Sequence, residues 1–180
     1  MNADIDISDI TLHTERLTLR PWTENDLKDF YEYASVEGVG EQAGWLHHKD
    51  IDETRAVLNR FIDGKRTFAI VFNGKVIGSL GVELYKEDEL PEFNEKRGRE
   101  LGFVLSKDFW GMGLMPEAVR AVIKYLFETV KLDFIACSHY VENTRSMRVQ
   151  EKCGFKHYKK LKHATRWGEL KDSWTSILER

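Results

Sequence analysis

The segment FWGMGLMPEA, Phe109–Ala118, decides how the rest of the chain is read. Before it lies a compact apolar run, Glu100–Leu105, which predicts a strand. After it, Val119, Val122, Ile123, Leu126 and Phe127 recur at helical spacing and predict a helix over Pro116–Val130. Pro116 suits the first turn of that helix. Between the two, Gly111 and Gly113 supply backbone torsions that side chains forbid, and they let a ligand lie directly on the main chain. The first amides of a helix have no partners inside it and sit at the positive end of its dipole. Several of them together can hold a diphosphate, so the segment Gly111–Met115 needs no lysine to attract one. From the glycines alone, a plain strand-to-helix turn is an equal reading. The P-loop pattern is absent, because no Gly-Lys-Ser/Thr follows. The dinucleotide fingerprint is absent too: its third glycine is missing, and the turn follows the fourth predicted strand and not the first.

Working outward, Arg16–Arg20 alternates and stops at Pro21, which predicts a short first strand. Thr23 or Asn25 can cap a helix carrying Leu27, Phe30, Tyr31 and Ala34. Asp50–Phe61 predicts a second helix. Thr67–Phe72 and Lys75–Leu84 flank Asn73-Gly74, which supplies the positive φ angles of a tight hairpin. Lys86–Arg97 is polar, mixed in charge and broken by Pro91, and reads as a long loop. Phe134–Tyr140 is a further strand, Thr144–Lys152 a short helix stopped by Gly154, and Lys156–His163 and Lys171–Leu178 the last two strands. Strand, helix and strand from Glu100 to Tyr140 imply a right-handed crossover and one parallel pair inside a mixed sheet.

Composition narrows the class. The 180 residues read as a single domain, with residues 1–12 as an N-terminal extension, and a hydrophobic fraction of 42% can build a core. With 30 acidic against 27 basic residues the net charge is -3, so direct nucleic-acid binding is not expected. Cys137 and Cys153 make no disulfide framework and fit a reducing compartment. Met1–Ile10 lacks the features of a secretory signal. No apolar run reaches the roughly 20 residues that span a bilayer. A soluble, cytoplasmic protein without a membrane association is the expectation.

Three stretches carry a family resemblance. FWGMGLMPEA resembles the coenzyme A pyrophosphate loop of the GNAT acetyltransferases, Gln/Arg-x-x-Gly-x-Gly/Ala, with Gly113 on the central glycine. Trp110 stands where Gln or Arg is common, and Met115 where Gly or Ala is common. A Trp-Gly-x-Gly turn is typical of the RimJ/RimL-type (ribosomal-protein N-acetyltransferase-like) branch. Thr14–Leu27, TERLTLRPWTENDL, resembles the opening of those enzymes, and Glu142–Phe155, ENTRSMRVQEKCGF, their Asn-x-x-Ser…Glu-Lys-x-Gly-Phe segment. The resemblance implies an α/β (α+β) GNAT fold: a mixed, mostly antiparallel seven-stranded sheet splayed between strands 4 and 5, with about four helices. It also implies acetyl-CoA as co-substrate, held by Phe103–Leu105, by Trp110, Gly111, Met112, Gly113, Leu114 and Met115, and by Asn143 and Ser146.

Acetyl transfer from a thioester to an amine needs a polarised carbonyl, a neutral amine, a stabilised leaving thiolate and two substrates held in line. The resemblance places the polarising amides at Phe103–Leu105, foremost Val104, where oriented N–H groups in a dry cleft outperform water. Glu100 is the first candidate base, because similar enzymes often put a carboxylate there and partial burial would raise its pKa. Glu83 is the second, and water-relayed deprotonation stays open. The Tyr that many GNAT enzymes use as acid is replaced by Gln150. The resembled branch proposes an earlier Ser on the same helix, here Ser146. Arg145 and Arg148 could approach the 3′-phosphate of coenzyme A, but a solvated helix face is the first reading for each.

His47-His48 beside Trp45 invites a metal, but adjacent side chains point apart and no third ligand is spaced to join them, so no metal is expected. These three are expected to line the acceptor entrance. Cys153 reads as a small buried thiol. The resemblance favours a protein N-terminal α-amine, possibly ribosomal, as acceptor. A small amine (amino acid, polyamine or aminoglycoside) and a non-catalytic CoA-binding regulatory module are the alternatives. Dimers occur among similar enzymes, which makes a homodimer one expectation.

Overall fold

The computed structural model describes all 180 residues. In chain order the elements are β1 Leu12–His13, β2 Leu17–Pro21, α1 Leu27–Ala34, α2 Ile51–Gly64, β3 Thr67–Phe72, β4 Lys75–Glu83 and β5 Gly98–Leu105. There follow α3 Leu114–Glu128, β6 Phe134–Tyr140, α4 Thr144–Lys152, β7 Lys156–Ala164 and β8 Leu170–Glu179. The strands form one sheet in the order β1-β2-β3-β4-β5-β6-β8-β7. Every neighbouring pair is antiparallel except β5 and β6. The sheet has eight strands where seven were predicted, because Leu12 and His13 pair with Leu19 and Thr18. Two residues are too few to show a period. No helix is long and apolar enough to cross a membrane.

Local chemistry sets the boundaries. Asn73 and Gly74 turn the β3–β4 hairpin at φ 49° and 80°. Asp50 caps α2 by accepting from the Glu53 N–H at 2.8 Å. Ahead of α1, the Asp26 carboxylate takes the Thr23 N–H and both terminal nitrogens of Arg20, each at 2.8 Å. The helix α3 starts two residues earlier than predicted, at Leu114, and Pro116 is still within the turn where a missing N–H costs nothing.

The sheet divides the core. On one face Leu19, Ile70, Leu80 and Leu101 pack against Leu114, Val119, Val122 and Leu126 of α3. On the other, Trp22, Phe30 and Tyr33 pack with Val57, Leu58 and Ala69 under α1 and α2. A third cluster joins Leu90 and Phe93 to Tyr85, Phe134, Ala136 and Ile177. Two apolar residues therefore fasten the expected polar loop across the sheet. The predicted extension also packs: Ala3 and Ile7 are buried, and Asn2 bridges Gly98 in parallel.

The parallel pair is short. Its register runs from Gly98–Phe134 to Leu101–Cys137 and stops. Beyond Leu101, β5 keeps only β4, while β6 continues along β8. This is the expected opening between the fourth and fifth predicted strands.

Candidate active site

The parity of β5 decides what faces the opening. In an antiparallel pairing, alternate residues turn both backbone groups to the same neighbour. Ser106 donates its N–H to Ile77 of β4 at 2.8 Å, and Gly98 bonds Met1 and Ala3 on that same edge. The even-numbered residues between them, Glu100, Gly102 and Val104, thus turn toward β4. The odd-numbered ones turn toward β6, and past Leu101 no β6 residue meets them. The unpaired amides are those of Phe103 and Leu105. Val104, expected to polarise the carbonyl, is instead paired with Ser79. The Leu105 carbonyl accepts the Trp110 indole N–H at 2.9 Å, as this parity requires.

A cavity of about 430 Å³ lies along this opening. Of the residues expected to hold a cofactor, Phe103, Val104, Leu105, Trp110, Gly111, Gly113, Leu114, Met115, Asn143 and Ser146 line it. Met112 does not: its side chain is exposed and its carbonyl accepts from Arg16 Nη1 at 3.0 Å. Glu100 and Glu83 lie outside the cavity wall.

Gly111 and Gly113 adopt φ 79° and 76°. A Cβ at Gly111 would meet nothing within 4 Å, so the torsion and not crowding calls for glycine there. Gly113 is the cap from which α3 departs, and the helix's free amides open on the cavity. The turn is tied from outside. Arg16 grips both Met112 and Glu117, and Thr14 Oγ1 donates to Glu117 Oε1 at 2.6 Å.

The opposite wall is α4. Asn143 caps it, accepting the Ser146 N–H at 3.1 Å, and its amide nitrogen donates to the Gln42 carbonyl at 3.1 Å. The Asn143 side chain thus holds α4 to the loop that carries Gln42 and Ala43, which also line the cavity. Arg145, Arg148 and Lys152, read from the sequence as solvated or not singled out, face the cavity. Their spacing of i, i+3 and i+7 puts them on one helical stripe with Ser146 and Val149, a signal available in the sequence. Arg145 stacks over Trp110 at 4.3 Å from the ring centroid. Backbone amides, three cations and an apolar wall together suit an elongated ligand bearing phosphate.

Glu100 stands where the parallel pair ends. The Ser138 hydroxyl of β6 lies near its carboxyl, and Ser138 Oγ is 3.0 Å from Thr175 Oγ1. Burial pushes the Glu100 carboxyl above its usual range, and the nearby Ser138 hydroxyl offsets only part of that. Glu83 is directly opposite on β4 and faces Arg66 at 3.6 Å. The next pair along the same face is Gly81 and Gly102. A Cβ at Gly102 would meet nothing within 4 Å. A Cβ at Gly81 would run into Glu83 Oε1 at 2.6 Å, so the Glu83 side chain lies over that glycine and the open floor beside Glu100 is at Gly102.

Other expectations shift. His48 is buried, bonded to Thr54 Oγ1 at 2.9 Å and packed on Trp45, so it does not line an entrance. His47 turns away to Glu41 at 2.9 Å. Cys153 sits near the Pro116 carbonyl, and burial pushes its thiol up to about 11, which leaves it inert as a nucleophile at neutral pH.

Residues 16–156 match the family model described as Acetyltransferase (GNAT) domain. An uncharacterized N-acetyltransferase, p20, from Bacillus licheniformis is 28% identical over 153 residues, covering 81% of this chain and 82% of its own. A GNAT-family acetyltransferase structure from Bacillus anthracis superimposes with a TM-score of 0.82 at 25% identity, covering 94% of this chain and 98% of the other. Spermidine N-acetyltransferase from Vibrio cholerae, solved with CoA and spermine, shares the fold with a TM-score of 0.73 at 21% identity, covering 91% and 95%.

Proposed function

Since the chain belongs to the GNAT acetyltransferase family, we propose that it moves the acetyl group of acetyl-CoA to a protein N-terminal α-amine. The acyltransferase class and the acetyl-CoA co-substrate follow from that membership. The acceptor is the inference.

The observation that carries it is the disposition of the acidic side chains around the open floor at Gly102. A polyamine site needs several carboxylates free to meet cations. Here Glu89 is held by Lys86 at 2.7 Å and by His163 at 3.0 Å. Glu83 faces Arg66, Glu92 accepts from Tyr158, and Glu87 accepts from Asn2. Glu100, where the parallel pair ends, stands in no ion pair and is free to meet a single amine. The open strand surface at Gly102 suits an extended backbone. The RimJ/RimL-type motifs at Thr14–Leu27 and Glu142–Phe155 point the same way.

In this reading the amine nitrogen loses a proton to Glu100, directly or through water, and attacks the acetyl carbon. Its oxygen gathers charge against the Phe103 and Leu105 amides. The C–S bond breaks and its electron pair goes to sulfur, where the Ser146 hydroxyl hydrogen-bonds the thiolate. Nitrogen gives up two protons: the first, from the ammonium, passes to Glu100 and on to solvent, and the second, lost as the C–S bond breaks, turns the thiolate into the released thiol. Asn143 and the first turn of α3 hold the cofactor, with Arg145, Arg148 and Lys152 balancing phosphate charge.

The test is release of free CoA thiol from acetyl-CoA with peptides bearing free α-amines, against the same peptides N-blocked and against polyamines, amino acids and aminoglycosides. Release with free α-amine peptides is expected. Release with the small amines alone overturns the acceptor assignment.

A further inference from the structure

The residue that replaces the family's tyrosine is buried and bonded on both sides. Gln150 of α4 donates its amide N–H to Ser146 Oγ at 3.3 Å, one helical turn back. Its amide oxygen meets Nδ1 of His139, on β6, at 3.2 Å. His139 is buried as well, and its Nε2 has no partner. These contacts link a cavity-lining hydroxyl to an imidazole beneath the helix.

Proton counting fixes the direction of each bond. An unpaired buried N–H is a rarer defect than an unpaired acceptor. The single proton of neutral His139 therefore sits on Nδ1, which has a partner, and not on Nε2, which has none. Nδ1–H then requires the oxygen of Gln150, which leaves the amide nitrogen facing Ser146. A serine hydroxyl has one hydrogen and two lone pairs. With one lone pair taken by Gln150, the Ser146 hydrogen cannot be given to Gln150 and is left for the cavity. With the amide reversed, the Gln150 oxygen would accept that hydrogen and leave the cavity facing a lone pair.

We propose that Gln150 and His139 are positioning residues which hold the Ser146 hydroxyl as a donor toward the leaving sulfur. The inference rests on the reading of Ser146 as the thiolate's hydrogen-bond partner. Gln150 cannot surrender a proton as a tyrosine can; it orients a neighbour that donates a hydrogen bond.

The test is a double-mutant cycle on the full chain with acetyl-CoA and an acceptor peptide. Ser146→Ala and Gln150→Met are each expected to lower kcat about 10-fold, the effect of one hydrogen bond to a developing charge, with the acetyl-CoA KM within about 2-fold. Combined, they should cost no more than Ser146→Ala alone, because Gln150 acts only through that hydroxyl. His139→Asn, which can still donate to Gln150, should keep most of the activity that His139→Leu loses. Losses that multiply in the double variant, or that fall on the acetyl-CoA KM, overturn the proposal while sparing the role of Ser146. An unchanged kcat in Ser146→Ala overturns that role, and the proposal with it. Should Gln150→Met fail to fold, the two His139 variants decide: equal losses overturn the proposal.

Discussion

Arg16 and Glu117, 101 positions apart in the chain, hold the glycine turn from its outer side. Arg16 Nε and Nη2 reach Glu117 Oε2 at 2.8 and 2.7 Å, and the Arg16 N–H reaches Oε1 at 2.9 Å. The remaining guanidinium nitrogen holds the Met112 carbonyl. Glu117 stands in the first turn of α3, beside the amides that open on the cavity. Unpaired, its charge would compete with phosphate for the positive end of the helix. The ion pair therefore does two things: it fixes the turn, and it screens an anion site from a nearby carboxylate.

Arg16→Ala should weaken acetyl-CoA binding about 3- to 10-fold, the scale of one charge near a helix terminus. Arg16→Ala with Glu117→Gln should regain part of that loss, since no bare carboxylate then remains. Titration calorimetry with acetyl-CoA checks both. A double variant weaker than the single one would show that the pair holds the turn's shape alone.

Acid should loosen the same region. Burial raises the Glu117 carboxyl, but the bonds from Thr14 and Arg16 outweigh it and hold the pKa below its ordinary 4.5. Asp26, bonded to Arg20 and Thr23, is likewise held below 3.8 despite burial. A carboxyl with a depressed folded-state pKa binds fewer protons folded than unfolded, so its stabilising share is present above the unfolded value and fades as pH drops. The share of stability that these two carboxylates supply should be whole above about pH 5 and fade below about pH 4, read from thermal melts. Asp26→Asn should lower the plateau and flatten the decline.

Gly111→Asp should reduce acetyl-CoA binding about 100-fold or more, as like charges set together cost several kcal/mol. Asp and Asn both tolerate positive φ, and the space there is open, so the fold should survive either change. Gly111→Asn, lacking the charge, is expected to bind within about 10-fold of the parent. Equal losses in the two variants would point to the backbone torsion and not to phosphate.

Glu100→Gln should lower kcat about 100-fold or more and remove the ascending limb of the pH–rate profile. With burial raising that carboxyl, the limb in the parent should lie above the ordinary 4.5. The Ser138 hydroxyl favours the ionised form, so Ser138→Ala should move the limb to higher pH. A limb that stays in Glu100→Gln would assign the base elsewhere, to Glu83 or to water.

Gly102→Val should obstruct the acceptor without touching the cofactor. Valine suits a strand, and its Cβ would meet no atom within 4 Å. The peptide KM should rise about 10-fold or more while the acetyl-CoA affinity stays unchanged, a split that separates lost acceptor binding from lost chemistry. A parallel loss of acetyl-CoA affinity would place the acceptor elsewhere.

Much of this architecture was legible from spacing. The Asn73-Gly74 hairpin, the α4 boundaries at Thr144 and Lys152, and the strand–turn–helix around Gly111 appear where local chemistry put them. What the sequence hid is mostly parity and distance. Val104 and Phe103 look alike in a strand, and only pairing with Ser79 tells which amide is taken. Periodicity marked Arg145 and Arg148 as polar, but could not say that their face meets a cavity. Leu90 and Phe93 lie in a polar stretch whose packing partners, Phe134 and Ile177, are far along the chain. Gln150 was seen as a lost acid, and its bonds to Ser146 and His139 exist only once α4 lies on β6.

The early end of the β5–β6 pairing leaves two peptide groups unsheltered in the resting protein. Hydrogens on such nitrogens swap with solvent deuterons quickly, whereas those turned to β4 are retained. A long ligand seated there behaves as a guest strand, lending the sheet the edge it lacks. Occupancy should then be recorded twice, as retarded isotope uptake at Phe103 and Leu105 and as a higher melting temperature. The enzyme's least finished seam is the one its substrate completes.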